Sequence, residues 1–219
     1  MPEVRALLVG TSTYTDAKLT QLDWAAANIT DLHDALVDDL GTENLHTLVD
    51  PPTAQLVLDL LTECASPPLD VLVFYYTGHG LRDDAERLCL ALPGSVNDDG
   101  QVRRTSLPAD SVFEIIKQAK ATTKVVILDC CYSGLAMDAP AAADLHLLTA
   151  THRSELAEYR MEARNTEFTG ELLEFLEKTA GPVDLGTLYR HLDETLGGRG
   201  LPRPQQRCVN HSADFVLRR

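Results

Sequence analysis

Short runs of consecutive apolar residues alternate along this chain with longer segments whose apolar positions recur every three or four residues. Runs of the first kind lie at 4–10 ("VRALLVG"), 44–50, 70–80 ("DVLVFYYTGHG"), 87–94, 124–130 ("KVVILDC"), 145–151 ("LHLLTAT") and 213–219 ("ADFVLRR"), and they predict strands. Segments 26–41, 53–65, 108–121, 168–181 and 184–198 are of the second kind and predict amphipathic helices. In 26–41 the stripe is Ile29, Leu32, Leu36, Val37 and Leu40, with Gly41 as a stop. Thr53 is placed to cap the second helix after Pro51 and Pro52, while Gly181 and the pair Gly197–Gly198 end the last two. The Ala-rich stretch 135–144 and the charged stretch 152–167 read as loops.

Continuous apolar strands separated by amphipathic helices predict an α/β protein with a mostly parallel sheet covered on both faces. In such sheets functional groups gather beyond the carboxyl ends of the strands. Two unusual sequences, "TGHG" and "DCCYSG", each follow directly on an apolar run, which puts them on the same rim.

Composition sharpens this only a little. A chain of 219 residues accommodates one α/β domain, and 44% hydrophobic with 24% charged residues is ordinary for a globular protein. The net charge of −14 argues against nucleic-acid and anionic-membrane partners, which need clustered Lys and Arg. "MPEVRALLVG" reads as a first strand rather than a leader, and no stretch has the length of a membrane span. Five scattered cysteines, an odd number without zinc spacing, fit reduced thiols in the cytoplasm and no metal site.

The candidate chemistry lies in the two rim sequences. His79 stands between Gly78 and Gly80, which leave the ring uncovered and let backbone approach closely; the bland alternative is a turn histidine. Cys130 and Cys131 have a packing reading as small core residues. If the strand alternation runs on, however, Cys130 points into one face while Asp129 and Cys131 share the other, so Cys130 packs and Cys131 reacts. Ser133–Gly134 supplies the turn by which the chain leaves the rim.

His79 precedes Cys131 by 52 positions, and a histidine about fifty residues upstream of the cysteine is a caspase signature. From "VRALLVG" through "GHG", "LDCCYSG" and "LLTAT" to "FVLRR", the chain resembles the caspase/metacaspase clan of cysteine peptidases, most of all its bacterial caspase-like members. It departs from the caspase Gln–Ala–Cys–x–Gly pattern in having Asp129 at the glutamine position and Tyr132–Ser133 before the glycine. The resemblance implies a three-layer fold around a central sheet of about six strands. It divides the single domain into a large-subunit-like part, about 1–140, and a small-subunit-like part, about 145–219.

The resemblance also implies roles. Cys131 is the nucleophile, His79 handles its proton, and the backbone N–H groups of Gly80 and Cys131 form the oxyanion hole. The residue two before the nucleophile lines the pocket for the side chain preceding the cleaved bond. An aspartate there, Asp129, suits Arg or Lys in the substrate, although it also reads as an anchor for backbone at the strand end. Relatives carry an Asn–Asp pair in the first helix that supplies a second pocket acid; Ala27–Asn28 stands there, and neutral Asn28 weakens the preference for a basic residue. Thr149 and Thr151 are the expected opposite wall.

Arg153, Arg160 and Arg164 mark sites for self-cleavage. "NDDG" (97–100) lacks the ligand spacing of a calcium loop and reads as a polar turn, so no cofactor is expected. The implied partners are a protein or peptide substrate and a regulatory domain or protein. The implied role is that of an effector in bacterial signalling or defence. The rival is a caspase-like scaffold without turnover; a nucleotide-binding reading lacks its glycine motifs.

Overall fold

A computed structural model describes residues 3–152 and 163–218. The elements run β1 (Val4–Gly10), α1 (Asp23–Leu40), β2 (Leu45–Val49), α2 (Ala54–Ala65), β3 (Leu69–Thr77), β4 (Gly80–Arg82), β5 (Leu88–Leu90), α3 (Val102–Thr105) and β6 (Leu107–Pro108). They continue with α4 (Ala109–Gln118), β7 (Ala121–Asp129), β8 (His146–Thr149), α5 (Glu167–Lys178), β9 (Val183–Asp184), α6 (Leu185–Gly198), β10 (Gln205–Arg207) and β11 (Val216–Arg218).

Six strands form the central sheet in the order β10-β8-β7-β3-β1-β2, all parallel except β10, which runs antiparallel to β8. The alternation of strand side chains explains the three layers. Leu7, Val9, Phe74, Tyr76, Val126 and Leu128 face α2 and α4, meeting Val57, Leu61, Phe113 and Ile116. Leu8, Val73, Tyr75, Val125 and Ile127 face the other way, onto Ile29 and Leu32 of α1, Leu172 of α5 and Leu188 of α6. Buried on both faces, β3 and β7 therefore read as unbroken apolar runs rather than alternating ones.

Helix starts follow capping chemistry. Thr53 accepts from the Leu56 N–H, Thr166 from Thr169 and Asp184 from Thr187.

Three expectations change. The C-terminal run is a strand over Val216–Arg218 only, β11, paired with β9 in a separate two-stranded sheet. The sixth central strand is Gln205–Arg207, whose polar, half-buried residues give no apolar signal because it lies at an edge. The run at 87–94 contributes only Leu88–Leu90, the middle of a small sheet β4-β5-β6 that follows directly on the histidine. Among the described residues no helix is long and apolar enough to cross a membrane.

Candidate active site

Register brings the rim sequences together. β3 and β7 are parallel neighbours with Thr77 opposite Asp129, so His79 and Cys131 each lie two residues beyond a paired position on adjoining strand tips. The contact is tight: a Cβ built on Gly80 would lie 1.9 Å from the Cys131 carbonyl oxygen and 3.1 Å from the Cys130 Sγ. Only glycine lets the chain pass there. Gly78 has φ +153°, and a Cβ on it would meet the Tyr76 hydroxyl at 2.5 Å, so both glycines around the histidine are required.

His79 sits in a cradle that sequence patterns do not reveal. Its N–H donates to the Tyr14 hydroxyl at 3.0 Å, which in turn donates to the Thr11 carbonyl at 2.9 Å. Its carbonyl accepts from the Tyr76 hydroxyl at 3.1 Å and from the Ala91 N–H at 3.0 Å. The Tyr14 ring lies tilted against the imidazole, centroids 4.8 Å apart. Nε2 is 3.0 Å from the Thr20 carbonyl. A carbonyl only accepts, so the proton resides on Nε2 and the neutral ring keeps its lone pair on Nδ1. Burial lowers the His79 pKa, opposed by the hydrogen bond to Thr20, so the ring enters neutral pH as a base.

On the other tip the strand ends at Asp129, so the pleat that fixes Asp129 to one face does not extend to Cys131. Cys130 is fully buried and its thiol pKa is held well above the ordinary value by burial, then by the neighbouring Cys131 and Asp129. Cys131 is half-buried and lies outside any disulfide, as do the other four cysteines. Tyr132 adopts φ +57° and turns the chain into a 3-10 helix, Ser133–Asp138, with the Arg82 guanidinium 4.7 Å from its ring centroid. The buried hydroxyls of Ser133 and Thr151, 3.1 Å apart, pin this turn, and the Thr151 hydroxyl also donates to the Cys130 carbonyl at 3.3 Å.

Asp129 is buried against α1 and α5. Its Oδ2 accepts from Thr166 Oγ1 at 2.5 Å, Thr169 Oγ1 at 2.6 Å, Asn28 Nδ2 at 3.3 Å and the Tyr75 hydroxyl at 3.5 Å. Its Oδ1 has no hydrogen-bond partner among the described residues. Burial pushes its pKa up to about 6, against the pull of those hydroxyl donors.

Asn28 therefore does meet Asp129, while its amide also reaches Thr77 and Thr166 and its carbonyl oxygen accepts the Thr166 N–H. Thr151 and Asp129 line a common cavity of about 10 Å³ with Ala150, Glu167, Phe168, Leu196, Leu201 and Pro202. That is room for roughly one water. Thr149 is buried, donates to the Thr151 carbonyl and does not line the cavity.

Of the arginines expected to invite self-cleavage, Arg164 is held to Asp31 by two hydrogen bonds of 2.8 and 2.7 Å. Arg153 and Arg160 lie outside the described residues. In the "NDDG" turn Asp98 is ion-paired with Lys18, and no group of three potential ligands among the described residues could hold a metal.

A mostly parallel sheet between two helical layers, with His79 and Cys131 beyond neighbouring strand tips, defines the class of the protein as α/β. The family model described as caspase domain matches residues 3–216, and the chain belongs to this family of cysteine peptidases.

Among solved structures, protein GSU0716 from Geobacter sulfurreducens is similar with a TM-score of 0.71 at 16% identity, over 98% of this chain and 97% of that one. Caspase-1 from Spodoptera frugiperda is similar with a TM-score of 0.64 at 14% identity, over 98% and 88%. At these identities the likeness is one of fold. No curated protein matches the sequence.

Proposed function

We propose that the chain is an endopeptidase working through a Cys131–His79 dyad and cutting after arginine, and less readily after lysine. The observation that carries this reading is the β3–β7 register, which sets Gly80 against the Cys131 carbonyl and so brings the two strand tips into contact.

In the proposed reaction His79 takes the thiol proton and the Cys131 sulfur adds to the scissile carbonyl carbon. The Gly80 and Cys131 N–H groups hold the oxyanion. The C–N bond then breaks as His79 returns the proton to the leaving amine. Water, deprotonated by the same imidazole, hydrolyses the thioester, releasing a carboxylate and restoring the thiol. The lone pair on Nδ1 and the neutral ring support His79 as the base. The buried Asp129 Oδ1, without a hydrogen-bond partner among the described residues, supports arginine as the preferred residue, since a guanidinium would give it a charge-assisted contact. The physiological setting we infer is that of an intracellular bacterial effector controlled by a regulatory partner.

One observation favours a second reading, a caspase-like module that binds without turnover: the cavity beside Asp129 is too small for a guanidinium. Peptides differing only in the residue before the cleaved bond separate the two. The peptidase reading expects cleavage after Arg, slower after Lys and none after Asp, abolished by Cys131→Ser. Preferred cleavage after Asp would remove the role of Asp129, and no cleavage of any peptide would leave the binding module.

A further inference from the structure

We infer that Glu167 is a second specificity carboxylate of the arginine pocket, within ion-pair reach of Arg199 before substrate binds and turned to the incoming guanidinium. This rests on the reading of Asp129 given above and deepens it.

A guanidinium presents a planar fork of donors and is held best by two oxygens. Asp129 offers one. Its Oδ2 is occupied by donors from Asn28, Thr166, Thr169 and Tyr75, which leaves Oδ1, buried and without a partner among the described residues. The first helix does not supply the missing oxygen, because Asn28 spends its amide on Thr77, Asp129 and Thr166.

The second acid comes from the opposite wall. Glu167, the first residue of α5, lines the same cavity as Asp129 with its side chain 15% exposed. A carboxylate in the first turn of a helix is also favoured by the helix dipole.

Arg199 ties the end of α6 to α5 beside this cavity. It caps the end of α6 and reaches back to α5, with Nη2 2.7 Å from Glu171 Oε2 and Nη1 4.0 Å from Glu167 Oε2. Its contact with Glu171 is close and its contact with Glu167 is loose. The cavity lies between these same two walls, Glu167 and Phe168 on α5 and Leu196, Leu201 and Pro202 around the end of α6. A substrate arginine that draws Glu167 away from Arg199 leaves Arg199 its closer partner, Glu171.

Peptides ending in arginine or in neutral, isosteric citrulline before the cleaved bond test the assignment, since their ratio of kcat/KM reads the charge of the pocket and is insensitive to general loss of folded enzyme. Glu167→Gln is expected to lower that ratio about tenfold, the loss of one partly exposed charge-assisted contact. Arg199→Gln is expected to raise it, through a lower KM for the arginine peptide. Glu167→Asp serves as the conservative variant and restores part of the preference.

A wild-type preference for arginine that persists at full strength in Glu167→Gln overturns the assignment of Glu167 and leaves Asp129 in place. A wild type that does not distinguish arginine from citrulline overturns the reading of Asp129 itself, and this proposal with it.

Discussion

Replacing Gly80 by alanine probes the contact on which the site is built. The added methyl carbon would lie 1.9 Å from the Cys131 carbonyl oxygen, 3.0 Å from its carbonyl carbon and 3.1 Å from the Cys130 Sγ. The first two are backbone atoms, so no side-chain rotation relieves the clash; β4 or the 130–131 turn has to move by more than about 1 Å to restore ordinary contact distances. Overpacking of this kind costs about 1–3 kcal/mol. For a domain of this size about 2 kcal/mol corresponds to a fall in Tm of roughly 4–8 °C.

The effect on turnover is expected to be larger, about a hundredfold in kcat, because both the nucleophile and an oxyanion donor shift relative to His79. Gly94→Ala is the control: nothing lies within 4 Å of the point its methyl carbon would occupy, and its Tm and kcat should stay at wild-type values. Thermal unfolding and peptide hydrolysis on the three proteins decide the matter. A Gly80→Ala protein with wild-type Tm and kcat would refute the close approach.

Tyr14→Phe removes the hydroxyl that accepts the His79 N–H and donates to the Thr11 carbonyl, leaving both groups without that partner. It should lower kcat several-fold with little change in KM, and stability by about 1–2 kcal/mol, read by steady-state kinetics and urea unfolding. Asp129→Asn tests the raised carboxyl pKa. In wild type the folded state binds the proton more tightly than the unfolded state, so ionisation costs stability. That cost is full above about pH 6, disappears below the ordinary value of 3.8, and amounts to at most about 3 kcal/mol. Stability relative to Asp129→Asn should therefore rise as pH falls through 6, while wild-type cleavage after arginine declines over the same range. A flat stability difference from pH 7 to 4 would contradict the shift.

The parts of this molecule visible in its sequence are those decided by local periodicity. The doubly covered strands β3 and β7 announce themselves as apolar runs, and the stripe of α1 as Ile29, Leu32 and Leu36, because burial on two faces or one stripe leaves a pattern. His79 and Cys131 are legible because each follows such a run at its carboxyl end. Edge strand β10 is not, since Gln205–Arg207 is only half-buried and pairs with β8 along one side.

The surroundings of Asp129 are equally hidden. Thr166, which caps α5, Thr169 within it, Asn28 of α1 and Tyr75 of β3 converge on it from separations of 37 to 101 residues, and no spacing rule encodes a meeting across three elements. The Thr20 carbonyl beside His79 has no sequence signature at all, being backbone.

Labelling with a peptidyl-arginine chloromethyl ketone, followed by mass spectrometry of the digested protein, tests the central claim most directly. The dyad predicts a single adduct on Cys131, formed quickly by wild type and at least about a hundredfold more slowly by His79→Ala. An adduct on another cysteine, or an undiminished rate without the imidazole, would contradict it.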